Sequence, residues 1–418
     1  MNDQNAKTIF MKPVLDSYVN LKSKRNNKAI SDLDFIEMGI RRVMEHYASG
    51  RDFIQSMIDE FNFEKLSTDN FFKALKSPRR LKLMQELNKA IIENYQMLKH
   101  NDPFATIPEL NEFKIYAGDG HFHSHASHER HENGKAYPVG HIYSMNLRTG
   151  LMMHLDVLRP EDKMENEIHA LQRLGGPALR MGEPTGTKVI LVYDRACVDF
   201  KVWYIWKQGS GVYVVTRKKK NMNLTPLGDL KFDKDNPINA GIVSDQQVSH
   251  SHGRLIREIV YIDPITNNKF SFITNIMTLP PGIIAYLYLK RWNIEKGFQK
   301  FKCIYKEQKA WATSNTAKLI QANSLCLAHN LTVIMGTLLE DKEKVVDQKI
   351  IDKQEKRFAK IKEILKKKNR KINPLLLKVF KSTMMSCQFI RLIVIIFKKN
   401  TCWNEFIRKL RPRMEEYL

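Results

Sequence analysis

Cysteine is scarce in this chain, and no two cysteines lie close together. The five (Cys197, Cys303, Cys326, Cys387 and Cys402) are scattered. That spacing argues against a disulfide framework or a cysteine zinc site, and for reduced thiols in a cytoplasmic protein. Long apolar runs are missing as well. The run Phe389–Phe397 is interrupted by Arg391 and falls far short of the about 20 residues of a membrane span. The polar opening "MNDQNAKTIFMKPVL" has no apolar signal core, so export is not expected. Acid is the remaining deficit: 45 Asp and Glu stand against 68 Lys and Arg, for a net charge of +23. The excess is spread along the chain, which points to a polyphosphate partner more than to an anionic membrane.

What is present suits a large folded protein. The 418 residues, 43% of them hydrophobic, leave room for two or three domains with sizeable cores. The first hundred read as helices. Ser31 and Asp34 form a loose capping box, Ile36, Ile40, Val43, Met44 and Tyr47 make an apolar stripe, and Gly50 is the expected stop. "KLSTDNFFKALKSPRRLKL" is a polar cap, a short helix and a basic cluster at Lys76, Arg79, Arg80 and Lys82. It reads equally as a helix-turn-helix-like DNA reader and as a solvated basic helix.

From Phe113 the texture changes. "FKIYAGDG", "YPVGHIYSMNLR" and "MMHLDVLR" read as strands, "EDKMENEIHALQRLG" as a helix, "KVILVYDRA" as a buried strand, "VDFKVWYIWKQG" as a helix and "VYVVTRKKK" as a strand. This is the pattern of a mixed α/β sheet flanked by helices. "RLIREIVYID" and "NKFSFITNIM" form an expected strand pair in a β-rich insertion at about 221–280. The expected organisation is helical over 1–104, α/β over 105–340 with that insertion, and helical and basic over 341–418. The last part contains Lys353–Lys371, with ten basic and two acidic residues. A phosphate-binding surface and a solvated face both account for that run.

In "YLYLKRWNIEKGFQKFK" a single helix from Tyr286 to Lys302 would align Tyr288, Arg291, Glu295 and Lys302 on one stripe. Asp119 follows an apolar strand and Asp194 ends one. Singly, each acid reads as a turn or cap. Converging, the three would repel one another unless cations stood between them, and hard oxygen ligands select Mg²⁺ or Mn²⁺. Two such ions suit phosphodiester chemistry, with bases holding nucleic acid and acids holding metal.

The spacing Tyr-x2-Arg-x3-Glu-x6-Lys resembles the signature of a large family of bacterial insertion-sequence transposases. The resemblance implies a ribonuclease H-like fold with Asp119, Asp194 and Glu295 as catalytic, metal-binding acids. It implies two Mg²⁺ or Mn²⁺ ions, and double-stranded DNA (transposon ends and target) as partner. It also implies a dimer in the DNA complex, strand cleavage, and joining of the 3′-hydroxyl ends. Tyr288, Arg291 and Lys302 would contact the DNA end. The basic positions Arg79, Arg80, Arg217 and Lys218 are further expected DNA contacts. No Trp lies between Trp206 and Trp292, which leaves a hairpin intermediate open, and Trp292 reads as packing more readily than as a base stack. Two rivals stand beside this. One is an inactive DNA-binding relative. The other is a metal-dependent hydrolase built on His121, His123, His125, His128 and His131, although no barrel pattern accompanies them.

Overall fold

The computed structural model describes residues 4–25, 30–45, 47, 49–61, 66–95, 102–129, 137–159, 165–250, 254–345, 348–379, 387–398 and 401–415. His131 lies outside them. In the N-terminal part the helices begin where short polar side chains can hold the first free N–H groups. Asn5 caps α1 (Ala6–Tyr18), and Ser31 caps α2 (Asp32–Met44) by accepting from the Asp34 N–H at 3.0 Å. Ser67 and Ser77 do the same for α4 (Thr68–Leu75) and α5 (Pro78–Asn94). The expected stop at Gly50 is wrong: α2 ends at Met44, and Gly50 opens α3 (Gly50–Phe61). The glycine serves packing instead. A Cβ there would lie 2.7 Å from Phe72 and 3.0 Å from the Arg42 guanidinium.

These helices share one core with the rest of the chain. α10 (Asn315–Glu343) runs between α2, α5 and strand β3 (Met152–Val157). There the Asn330 amide donates to Asn88 and to the Met152 carbonyl, both at 2.9 Å. By length and composition α10 could cross a membrane, but most of it is buried in the protein.

The sheet has nine strands in the order β3-β2-β1-β4-β5-β9-β8-β7-β6. β1 (Phe113–His123), β4 (Lys188–Val192) and β5 (Val212–Arg217) are parallel, whereas β1, β2 (Val139–Asn146) and β3 are antiparallel. That half has the ribonuclease H-like order. Alternation sorts its side chains. Ile115, Ala117, Ile190 and Val192 join the core under α8 (Pro281–Lys290), α9 (Trp292–Cys303) and α10. Tyr116, Leu191, Tyr193 and Val214 join the core under α6 (Glu167–Ala178) and α7 (Phe200–Ser210).

The β-rich region comprises β6 (Thr225–Asp229), β7 (Ile242–Ser249), β8 (Leu255–Ile262) and β9 (Lys269–Thr274). Rather than standing apart from the α/β sheet, this insertion continues it. β9 pairs antiparallel with β5 through Val215↔Thr274, giving partners to backbone groups that an edge strand would leave open. Thr274 Oγ1 donates to the Val214 carbonyl at 2.7 Å, and Asn275 accepts from the Val214 N–H at 2.9 Å. Beyond α10 the described chain is helical: α11 (Gln348–Lys367), α12 (Pro374–Val379), α13 (Cys387–Lys398) and α14 (Trp403–Glu415).

Candidate active site

β1 and β4 pair in parallel up to Ala117↔Val192. Asp119 and Asp194 each stand two residues further on, so the register makes them neighbours where β4 stops. The expected single helix over them is two. α8 and α9 meet at Arg291, where the ladder tightens to three-residue bonds: the Arg291 N–H donates to Tyr288 and the Ile294 N–H to Arg291. The tightened turn swings Arg291 inward. Its Nη1 donates to Asp119 Oδ2 at 3.1 Å and its Nη2 to Glu295 Oε1 at 2.6 Å. Tyr288 Oη donates to Asp194 Oδ1 at 3.4 Å. Tyr288, Arg291 and Glu295 thus meet the two Asp residues, while Lys302, about 10 Å further along the helix, stays exposed.

Burial pushes the Asp119 carboxyl up to about 7; Arg291 opposes the shift, and Glu167 and Glu295 add to it. Burial also raises Tyr288, against the pull of Arg291. For Arg291, burial works downward, but Tyr288, Asp119 and Glu295 outweigh it.

Glu167 is the residue that sequence reasoning missed. It opens α6, after the Asn166 cap, and an acid in a first turn reads as a favourable partner of the helix dipole. It lies against Gly120, where any Cβ would collide with its carboxylate. It accepts from the Cys197 thiol at 3.5 Å. Burial raises its pKa, and Asp194 adds to the shift.

The donor set of carboxylates suits a hard divalent cation in its chemistry. Among the described residues, however, no three His, Cys, Asp or Glu side chains are gathered closely enough to hold one. Between Asp119 and Glu295 the positive charge is supplied by the Arg291 guanidinium.

Other expected site residues are placed differently. Arg79 donates to Asp32 at 2.8 and 2.6 Å, and Arg80, 3% exposed, donates to the Ile30 carbonyl and stacks on Phe35. Both guanidinium groups face inward because the buried Asp32 carboxylate needs them. Lys218 is held by Glu258 at 2.8 Å. Arg217 lies over Phe270 and near Tyr288. Trp292, expected to pack, is 57% exposed.

His121 and His123 share the Asp119 face of β1 but belong to the interior. His121 bonds Glu307 at 2.7 Å. His123, His141 and His154 form a chain with 3.0 Å links. Burial lowers His141, and takes His154 down to about 4. These residues carry no metal cluster among the described residues.

No curated protein matches the chain. A cryo-EM structure of a piggyBac transposase synaptic complex with hairpin DNA aligns over 97% of this chain and 80% of that one, with 8% identity and a TM-score of 0.41. The family model described as a transposase DDE domain matches residues 117–331. That span is just over half of the chain and runs from the middle of β1 into α10, with Asp119, Asp194 and Glu295 all inside it. The protein therefore belongs to the transposase DDE-domain family.

Proposed function

We propose that the protein is a transposase that binds the ends of its insertion sequence, cuts there to leave 3′-hydroxyl groups, and joins them to target DNA. One observation carries this reading. At the junction of α8 and α9, Arg291 bonds both Asp119 and Glu295, and Tyr288, three residues earlier, bonds Asp194, so one helix junction contacts all three acids. The acids would hold two Mg²⁺ or Mn²⁺ ions, which when bound supply the Lewis acidity for in-line displacement at phosphorus.

The chain's own residues prepare that site. Arg291 neutralises Asp119 and Glu295 in the free protein. A DNA phosphate offers its planar fork an equivalent bidentate partner, so engaging the end releases both carboxylates. Tyr288 orients Asp194 through its hydroxyl. Lys302 and Arg217 hold the backbone near the scissile bond, and the exposed Trp292 stacks on a base beside it. Lys218, with Glu258 as partner, contributes less. Arg79 and Arg80 are withdrawn as DNA contacts in favour of the exposed Lys76 and the basic run on α11. Joint insertion of two ends requires two active sites, hence a dimer on DNA. The helices before β1 and after α10 would grip the ends.

The test is cleavage of a labelled duplex carrying the flanking ends of the element, with and without Mg²⁺. Metal-dependent cuts with free 3′-hydroxyls, lost in Glu295→Gln, are expected. End binding without any cutting would favour the inactive DNA-binding relative instead.

A further inference from the structure

Away from the carboxylates, a cavity of about 940 Å³ opens between the N-terminal helices and the segments that follow β1 and α9. Arg42, on α2, lines it. Its guanidinium stacks on Trp311 at 4.5 Å and lies within 5.7 Å of the Phe53 and Phe71 ring centres. Its Nη1 is shut off from solvent and has no hydrogen-bond partner. Burial without an acidic partner pulls the group down to about 9, so it is still charged at neutral pH. Aromatic stacking returns about 0.5–2 kcal/mol, less than the several kcal/mol that removing a cation from water costs. The two carboxylates lining the cavity are engaged elsewhere. Glu45 accepts from Arg41 at 3.1 Å and from Tyr47, and Glu307 is bonded to His121 and Gln321. The rim is basic, with Lys76, Arg51, Lys306 and Lys309.

Resting on the transposase reading, we infer that this cavity is a second DNA-contact site, in which Arg42 receives a backbone phosphate of the DNA whose end lies at Asp119. The distance allows it. Ala126, on the cavity wall, is seven residues beyond Asp119, and such a segment spans at most about 25 Å, less than one turn of duplex, about 34 Å. The cavity joins α2 to the segment leaving β1, so a phosphate seated there would link the N-terminal helices to the catalytic strand.

The test uses the full chain and a fluorescein-labelled 30-base-pair duplex, with anisotropy read across a salt series. Arg42→Gln should weaken binding about tenfold and lower the slope of log affinity against log salt by about one, as loss of one phosphate contact requires. Its melting midpoint should not fall, because an unpaired buried charge has been removed. If that variant fails to fold, Lys76→Glu on the exposed rim decides alone, with the same direction expected. Either folded variant binding with wild-type affinity and slope overturns the site. If the unmutated protein binds no duplex at all, the transposase reading fails first. Inorganic phosphate or ATP raising the melting midpoint through Arg42, with duplex binding unchanged in Arg42→Gln, would assign the cavity to a free phosphate compound and overturn the DNA contact.

Discussion

Asp119 and His123 project from the same face of β1, four residues apart, into polar groups of opposite construction. Around His123 one direction of donation links the three rings and leaves the far end of the chain, the buried His154 Nδ1, without a partner. His154 Nε2–H donates to His141 Nδ1, His141 Nε2–H to His123 Nε2, and His123 Nδ1–H to the Ser124 carbonyl. Around Asp119 two carboxylates, its own and that of Glu295, share a single guanidinium, whose own Nε is buried without a partner, and Glu295 stays 43% exposed. The histidine chain is buried interior, ring bonded to ring. Asp119 and Glu295 are instead held by one shared cation where β4 stops; under the proposed function it is this cation that a DNA phosphate draws away.

The comparison is broken most sharply by neutralising the acids. Asp119→Asn, Asp194→Asn or Glu295→Gln should each lower the cleavage rate by at least about a thousandfold, some 4 kcal/mol of barrier, with urea midpoints little changed. A variant that cuts normally while folded would remove its acid from the mechanism.

Acidification should strike the other cluster. The folded value of His154 is about 4 against an unfolded one near 6.5. The unfolded chain therefore binds the extra proton between those values, and stability is full above about 6.5 and drains as pH falls towards 4. The loss from His154 is about 3 kcal/mol. His329, buried and lowered to about 3, adds in the same direction. Urea unfolding at pH 8 and pH 5 should read about 2 kcal/mol of that loss, because pH 5 lies above the folded value. His154→Phe should flatten the profile, and an unchanged slope would show that the proton goes elsewhere. Lys318 and Asp156 act on these histidines through their charges, and Glu307 stands 3.7 Å from His123.

Arg291→Ala should cost roughly 1–3 kcal/mol, less than a fully buried pair because Glu295 is partly exposed. Millimolar Mn²⁺ should raise the midpoint of this variant more than that of the wild type, by replacing the missing charge. Equal shifts would mean that the guanidinium and the ion do not share the acids. Trp292→Ala comes last. It should leave stability within about 0.5 kcal/mol while weakening end binding several-fold in anisotropy titrations.

Much of this was legible in the sequence because local chemistry dictated it. Ser31, Ser67 and Ser77 mark helix starts, Asp199 caps α7 and Gly211, at φ +63°, ends it. The alternation in "FKIYAGDG" and the apolar run before Asp194 set two strands whose parallel register makes the acids neighbours. What was hidden depends on tertiary partners. Arg79 and Arg80 look solvated until Asp32 is buried beneath them, and Glu167 looks like an ordinary first-turn acid until Gly120 leaves room for it. The continuity of β5 with β9 joins segments that no local pattern links. The break at Arg291 brings its guanidinium to Asp119, which lies 172 residues away in the chain.

The first helix is fastened to the last. The Trp403 N–H donates to the Gln4 carbonyl at 2.8 Å, the Ala6 N–H donates to Thr401 at 3.0 Å, and Asn5 bridges to Cys402. During synthesis at about 5–20 residues per second, α1 waits roughly 20–80 s for that clasp. Until then it leans on the helices before α14, chiefly α5 and α10, and on the Lys7–Glu37 ion pair with α2 at 2.6 Å. As long as α14 has not emerged, a ribosome-bound chain carries an open N-terminal seam, and closing it is a long-range step.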